Sequence, residues 1–139
     1  MEITANALQS VATGSNVVFT NIAVAGNCSI MYREGSGLVT LRGLTNGQRR
    51  ARFRISFGGN IGPPTTGTAG AISLAIAING EPVTTSTMIS TPTAVDAYNN
   101  VFSSVFIDVP KCCCSTVSVV NTSSQAINVQ NANFIITAV

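Results

Sequence analysis

Residues 50–57 read Arg50-Ala-Arg-Phe-Arg-Ile-Ser-Phe57. Ala51, Phe53, Ile55 and Phe57 alternate with Arg50, Arg52, Arg54 and Ser56, the period of two that marks a β-strand with one dry face and one wet face. The register of that strand is unambiguous from its side chains alone.

Working outward, residues 71–78 place Ile72, Leu74, Ile76 and Ile78 on one face and the small Ala71, Ser73, Ala75 and Ala77 on the other. Small residues on the second face permit close approach by another sheet or subunit. Asn79-Gly80 follows at once, and both residues tolerate the positive φ of a type I′ hairpin turn. A hairpin from 72–78 into 83–89 is therefore expected. Further strands are expected at 3–11, 17–24, 29–33, 38–44, 101–109, 116–121, 126–129 and 133–139, separated by Gly, Asn and Pro. No segment sustains an amphipathic helical stripe for three turns. Residues 58–70, rich in Gly, Pro and Thr, read as one surface loop.

Ten or eleven short strands in 139 residues fit an all-β, two-sheet antiparallel jelly roll better than an immunoglobulin-like sandwich of seven to nine strands. Surface scaling for this length predicts roughly 6,800 Å² exposed. Only 9% of residues are charged, against roughly 25% in an average soluble domain. The surface must therefore be covered by Ser, Thr, Asn and Gln, and a surface poor in Lys and Glu resembles an interface.

Several function classes lose support. A net charge of +2 is too small to argue for nucleic acid, which calls for a strongly basic patch. No run approaches the roughly 20 apolar residues of a transmembrane helix, and the N-terminus does not read as a signal peptide. Histidine is absent, which removes the commonest general base and the usual Ser-His-Asp and Cys-His arrangements. The five acids are scattered, and no phosphate-cradling or nucleophile-elbow motif is present. No catalytic residue, metal ligand set or cofactor is expected.

Three groups of residues stand out as candidate sites. The first is a packing face around a threefold axis, comprising Ile72, Leu74, Ala75, Ile76, Ala77, Ile78, Phe106, Phe134 and Ile136. The second is an arginine patch of Arg42, Arg49, Arg50, Arg52 and Arg54, which reads either as a site for an anionic partner or as a solvated strand face that blunts edge pairing. The third is Cys112-Cys113-Cys114 with Cys28 upstream. Its readings are a disulfide, inter-subunit disulfides, thiolate-bound metal, or small buried hydrophobes in a reducing cytosol. Asp96, Tyr98, Asn99 and Asn100, with Glu81, read as a polar loop or as oxygen ligands for calcium or a sugar.

Residues 51–57, 72–78 closing on Asn79-Gly80, Phe106-Ile-Asp-Val-Pro110 and Asn131-Ala-Asn-Phe-Ile-Ile-Thr137 occur in an order that carries a resemblance. Over roughly residues 37–139 the chain resembles the trimeric jelly-roll heads of the tumour-necrosis-factor and complement type, in the form found at the tips of bacterial collagen-like spore-surface proteins and phage fibres. It also resembles small proteins encoded by gut bacteria and their phages. The resemblance implies a homotrimeric, non-enzymatic structural protein on a virion surface, made in the host bacterial cytoplasm. Such a protein is a capsid decoration protein or fibre head, with the major capsid protein or other virion components as partners. The alternatives are a receptor- or glycan-binding head using loops 58–70 and 90–100, and a bacterial spore or cell-surface layer protein cross-linked by its cysteines. No Gly-X-Y stalk precedes the domain, so residues 1–24 are expected to form an N-terminal strand or arm that does any anchoring, with the jelly roll at 25–139.

Overall fold

The period-two pattern of residues 50–57 becomes one long strand of a two-sheet sandwich. The computed structural model describes every residue except Asn46. Its strands are β1 (Glu2–Ala5), β2 (Gln9–Val11), β3 (Asn21–Val24), β4 (Ile30–Tyr32), β5 (Val39–Arg42), β6 (Arg50–Gly62), β7 (Ile72–Ile78), β8 (Glu81–Pro82), β9 (Met88–Ser90), β10 (Asn99–Pro110), β11 (Cys114–Asn121) and β12 (Ile127–Ala138). One sheet runs β10-β6-β12-β1-β3, with β2 also on β12, and the other runs β4-β5-β11-β7-β8, with β9 also on β7. Every pairing is antiparallel. The architecture is the all-β jelly roll expected from the sequence, and its exposed surface of 7021 Å² agrees with the size-based expectation.

The core lies between the sheets. Phe53, Ile55 and Phe57 of β6 face it with Ile72, Leu74 and Ile76 of β7 and Phe134 and Ile136 of β12, all essentially without exposure. At its centre Phe19 stacks on Phe134 with ring centroids 5.4 Å apart, and Phe57 meets both rings edge-on. Tyr32 extends the cluster at 6.4 Å from Phe19. Its hydroxyl donates to the Phe19 carbonyl at 2.6 Å and accepts from the Phe19 N–H at 3.1 Å. Among the described residues every buried side-chain nitrogen and oxygen is paired, as burial requires. Asn121 donates to the Val11 and Gln125 carbonyls and accepts from the Ser123 N–H.

The Asn79-Gly80 turn forms as expected. Both residues have positive φ, 52° and 84°, and Ile78 pairs with Glu81 across them. The returning arm is not the continuous strand expected at 83–89. Residues Thr84–Ser86 make a 3-10 turn, because the Ser86 hydroxyl accepts from the Ile76 N–H at 2.9 Å and donates to the Val83 carbonyl at 2.6 Å. A side chain thus fills the place of a ladder hydrogen bond, and only β9 rejoins β7.

Other boundaries also moved. Five of the thirteen residues of the loop expected at 58–70 are strand, since β6 continues to Gly62. Glycine allows this, because a Cβ at Gly59 would press on Phe57 and Ala132 and one at Gly62 on the Ala97 carbonyl. The two strands expected at 126–129 and 133–139 are one, β12, interrupted by a register shift between Gln130 and Asn133, where Asn131 takes φ 52°. The strand expected at 3–11 is two, broken at the exposed 6–8.

Residues 1–24, expected as an N-terminal strand or arm, contain β1, β2 and β3, which lie within the first sheet. β1 lies between β12 and β3, and Ile3, Val17 and Phe19 are fully buried. One hydrophobic core runs across the expected boundary at residue 24.

Candidate self-association face

The outward side of the first sheet carries the side chains that face away from the core on β10, β6, β12 and β1. Its register places them in rows. Phe102 lies opposite Gly58, Ser104 opposite Ser56, Phe106 opposite Arg54 and Asp108 opposite Arg52. Across β6, Asn133 lies opposite Gly58, Ile135 opposite Ser56 and Thr137 opposite Arg54. Glu2 continues the Ile135 row onto β1.

This face is amphipathic in an unusual sense. Phe102 and Phe106 are 64% and 63% exposed, and Val139 and Ile135 73% and 37%. With Arg54 and Thr137 they line a concavity of about 560 Å³. Isolated exposed hydrophobes are ordinary, whereas a contiguous patch on a rigid sheet marks a contact surface.

Beside the patch lies the strongest charged contact of the described residues. Arg52 donates to Asp108 through Nε at 2.7 Å and Nη2 at 2.9 Å, the two-pronged geometry that guanidinium and carboxylate favour. Arg50 approaches the same carboxylate at 3.3 Å. The Arg52 hydrogen bonds hold the Asp108 carboxyl below its usual value, desolvation opposing, and Asp108 raises the Arg52 guanidinium in return. Arg54 reaches Ser104 at 3.4 Å.

No protein-family model and no curated protein matches the sequence. Solved structures do match along nearly the whole chain. Eiger TNF from S. frugiperda aligns with a TM-score of 0.72 at 10% identity, over 99% of this chain and 90% of that one. The globular domain of zebrafish complement 1qA protein aligns with a TM-score of 0.63 at 12% identity, over 96% and 93%. Murine APRIL aligns at 0.60 and 10%, over 96% and 94%. The fold is the tumour-necrosis-factor and complement jelly roll.

Within this jelly-roll head the expected packing face is largely internal. Ile72, Leu74, Ile76, Phe134 and Ile136 fill the space between the sheets, and Ala75 and Ala77 are equally without exposure. Side chains already buried in one chain have no surface to offer a neighbour, so these seven are removed from the candidate face. Ile78 is half-buried, and of the nine only Phe106 is exposed.

Phe102, Ile135 and Val139 were missed. On β10 both parities are apolar, Val101, Val105, Ile107 and Val109 on one side and Phe102 and Phe106 on the other, so alternation could not say which side faced in. Asp108 was the usable signal, because it shares parity with both phenylalanines and a carboxylate avoids the core.

The arginine patch divides. Arg50, Arg52 and Arg54 share the face as expected. Arg49 stands at its rim, beside a concavity of about 800 Å³ that it lines with Gln48, Arg50, Asp108 and Pro110. Arg42 belongs to the opposite sheet, across from Cys114.

The five acids fall on separate segments: Glu2 on β1, Glu34 after β4, Glu81 on β8, Asp96 before β10 and Asp108 on β10. Among the described residues no three His, Cys, Asp or Glu side chains converge on a common point. Asp96 instead accepts from the Tyr98 hydroxyl at 3.2 Å. All four cysteines are free and exposed, which overturns their reading as buried hydrophobes. Cys112 and Cys113 lie in the turn between β10 and β11, where Cys112 has φ 65°.

Proposed function

We propose that this jelly-roll head is a non-enzymatic module that assembles as a homotrimer through the outward face of β10, β6 and β12, and that it is displayed on a particle surface as a phage decoration protein or fibre head. The observation that carries the self-association is the patch of Phe102, Phe106, Ile135 and Val139. Two exposed phenylalanines on a rigid strand lose little rotamer entropy on docking, and aromatic anchors beside an arginine are the usual energetic centre of an interface. The motif order that resembles trimeric heads, together with the fold, supports three copies as the closed arrangement.

Sedimentation at micromolar concentration in reducing buffer tests the assembly. The wild-type chain should run at three chain masses, and Phe102→Asp with Phe106→Asp should run as a folded single chain. A monomeric wild type removes the reading. The virion assignment is tested separately by incubating the chain with decoration-free capsids and measuring co-sedimentation. Its coding gene should also lie among capsid or tail genes.

A second reading, a glycan-binding head, is favoured by one feature at the far end of the same sheet. Asn128 donates to the Tyr98 hydroxyl at 3.2 Å, Tyr98 donates to Asp96, and Asn100 donates to Asn60 at 3.0 Å. Such amides and hydroxyls offer both donors and acceptors to a sugar. A glycan array that loses its signal with Tyr98→Phe and Asn100→Ala would favour it.

A further inference from the structure

Three thiols follow one another at one end of the second sheet, near the rim of the outward face where Arg49 stands, and a fourth, Cys28, lies across β5 from them. Cys28 and Ser29 form the tip of the turn between Asn27 and Ile30, whose backbones exchange hydrogen bonds at 3.2 Å. Cys112 projects from the turn closed by the Cys113 N–H donating to the Pro110 carbonyl at 3.0 Å. Cys114 opens β11 opposite Arg42.

The backbone of Arg42 and Gly43 separates Cys28 from the other three. The Arg42 N–H donates to the Ser29 carbonyl at 2.9 Å on one side, and the Gly43 N–H donates to the Cys113 carbonyl at 2.8 Å on the other. Two strand spacings of about 4.8 Å each put the Cys28 turn roughly 10 Å from the triplet. A disulfide spans at most about 7 Å between Cα atoms. Pairing within the chain is therefore closed to Cys28 without backbone movement, and exposure denies all four a packing role.

We propose that Cys112, Cys113 and Cys114 form an intermolecular cross-linking site whose partner is a second copy of this chain. One exposed thiol joins chains only in pairs, whereas three in succession give a valence above one and link copies into larger covalent arrays. Lys111 precedes the triplet in the chain, its backbone meets that of Arg49 at 2.9 Å, and Arg42 lies across from Cys114, so cations stand nearby that favour an anionic low-molecular-weight disulfide as oxidant. A Cys thiolate attacks one sulfur of that disulfide, breaking its S–S bond and releasing one small thiol. The thiolate of a second copy then attacks the protein sulfur of the mixed disulfide and releases the second small thiol. Two cysteines lose two electrons and their two protons, which the two released thiols carry away.

The full chain is incubated with oxidised glutathione and resolved on non-reducing gels with intact-mass detection. Species of two and more chain masses are expected, collapsing to one chain mass in dithiothreitol. They should persist in Cys28→Ser and vanish in the triple variant Cys112→Ser, Cys113→Ser, Cys114→Ser, whose fold is checked by circular dichroism. Monomeric glutathione adducts alone, intrachain bonds alone, no reaction, or multimers that survive in the triple variant would each overturn the proposal. Sedimentation under reductant reads the non-covalent trimer separately, so either idea can fail without the other.

Discussion

Arg52 on β6 and Asp108 on β10 are direct cross-strand partners, 56 residues apart in sequence, and the guanidinium grips the carboxylate at 2.7 and 2.9 Å. The hydrogen bonds hold the Asp108 carboxyl below its ordinary value of 3.8. A carboxyl depressed by folding contributes stability that is present above the unfolded value and lost as the pH falls through the folded one. Asp108→Asn should therefore unfold earlier than wild type at pH 7, and the difference should shrink as the pH drops below 3.8. Urea midpoints measured from pH 7 to pH 2 check this, and a difference that stays constant across the range would refute it.

Phe134 and Phe106 make a matched test of inside against outside. Phe134→Ala removes the ring that stacks on Phe19 at 5.4 Å and should cost about 3–5 kcal/mol. Phe106→Ala should change the stability of the dissociated chain by no more than about 0.5 kcal/mol while weakening its self-association. Denaturant titration and sedimentation on the same two variants separate the effects.

Asn121→Ala should destabilise the chain by about 1–3 kcal/mol, because the buried Val11 carbonyl, the part-buried Gln125 carbonyl and the buried Ser123 N–H each lose a partner. Faster hydrogen exchange at Ser123 is the accompanying signature. An unchanged melting midpoint would mean that water replaces the amide without penalty.

Gly80→Ala should cost about 1–2 kcal/mol, the penalty of a left-handed conformation for a residue with a Cβ. Gly80 has φ 84° and nothing within 4 Å of that Cβ, so the cost is conformational only. Gly43→Ala should cost more, because its Cβ would strike the Pro110 carbonyl oxygen. Thermal melts that rank the two variants in the opposite order would contradict the packing seen at Gly43.

The patterned elements were legible in the sequence because local chemistry sufficed for them. Arg50, Arg52 and Arg54 against Phe53, Ile55 and Phe57 left one solution for β6, and Asn79-Gly80 left one for the turn after β7. Elements decided by distant partners were not legible. Ser86 breaks the arm expected at 83–89 only because its hydroxyl finds Ile76 ten residues earlier. Gly58 to Gly62 extend β6 because β10 and β12 flank them, although by composition they read as loop.

The candidate face shows the same division. The arginines were visible as a group, but their neutralising partner was not, since Asp108 joins them only through the β6–β10 register. The cysteines were conspicuous as a run, while their placement depends on the turn after Pro110 and their separation from Cys28 on the Arg42 and Gly43 backbone.

The sequence by itself determined an all-β chain, the strand parity of β6, the hairpin turn at Asn79-Gly80 and the lack of a histidine-based site, because each follows from residue type and short-range spacing. Only the tertiary structure decided that Phe134 is core while Phe102 and Phe106 are surface. A period of two assigns each side chain to one of two faces, and which face is buried depends on where the second sheet lies.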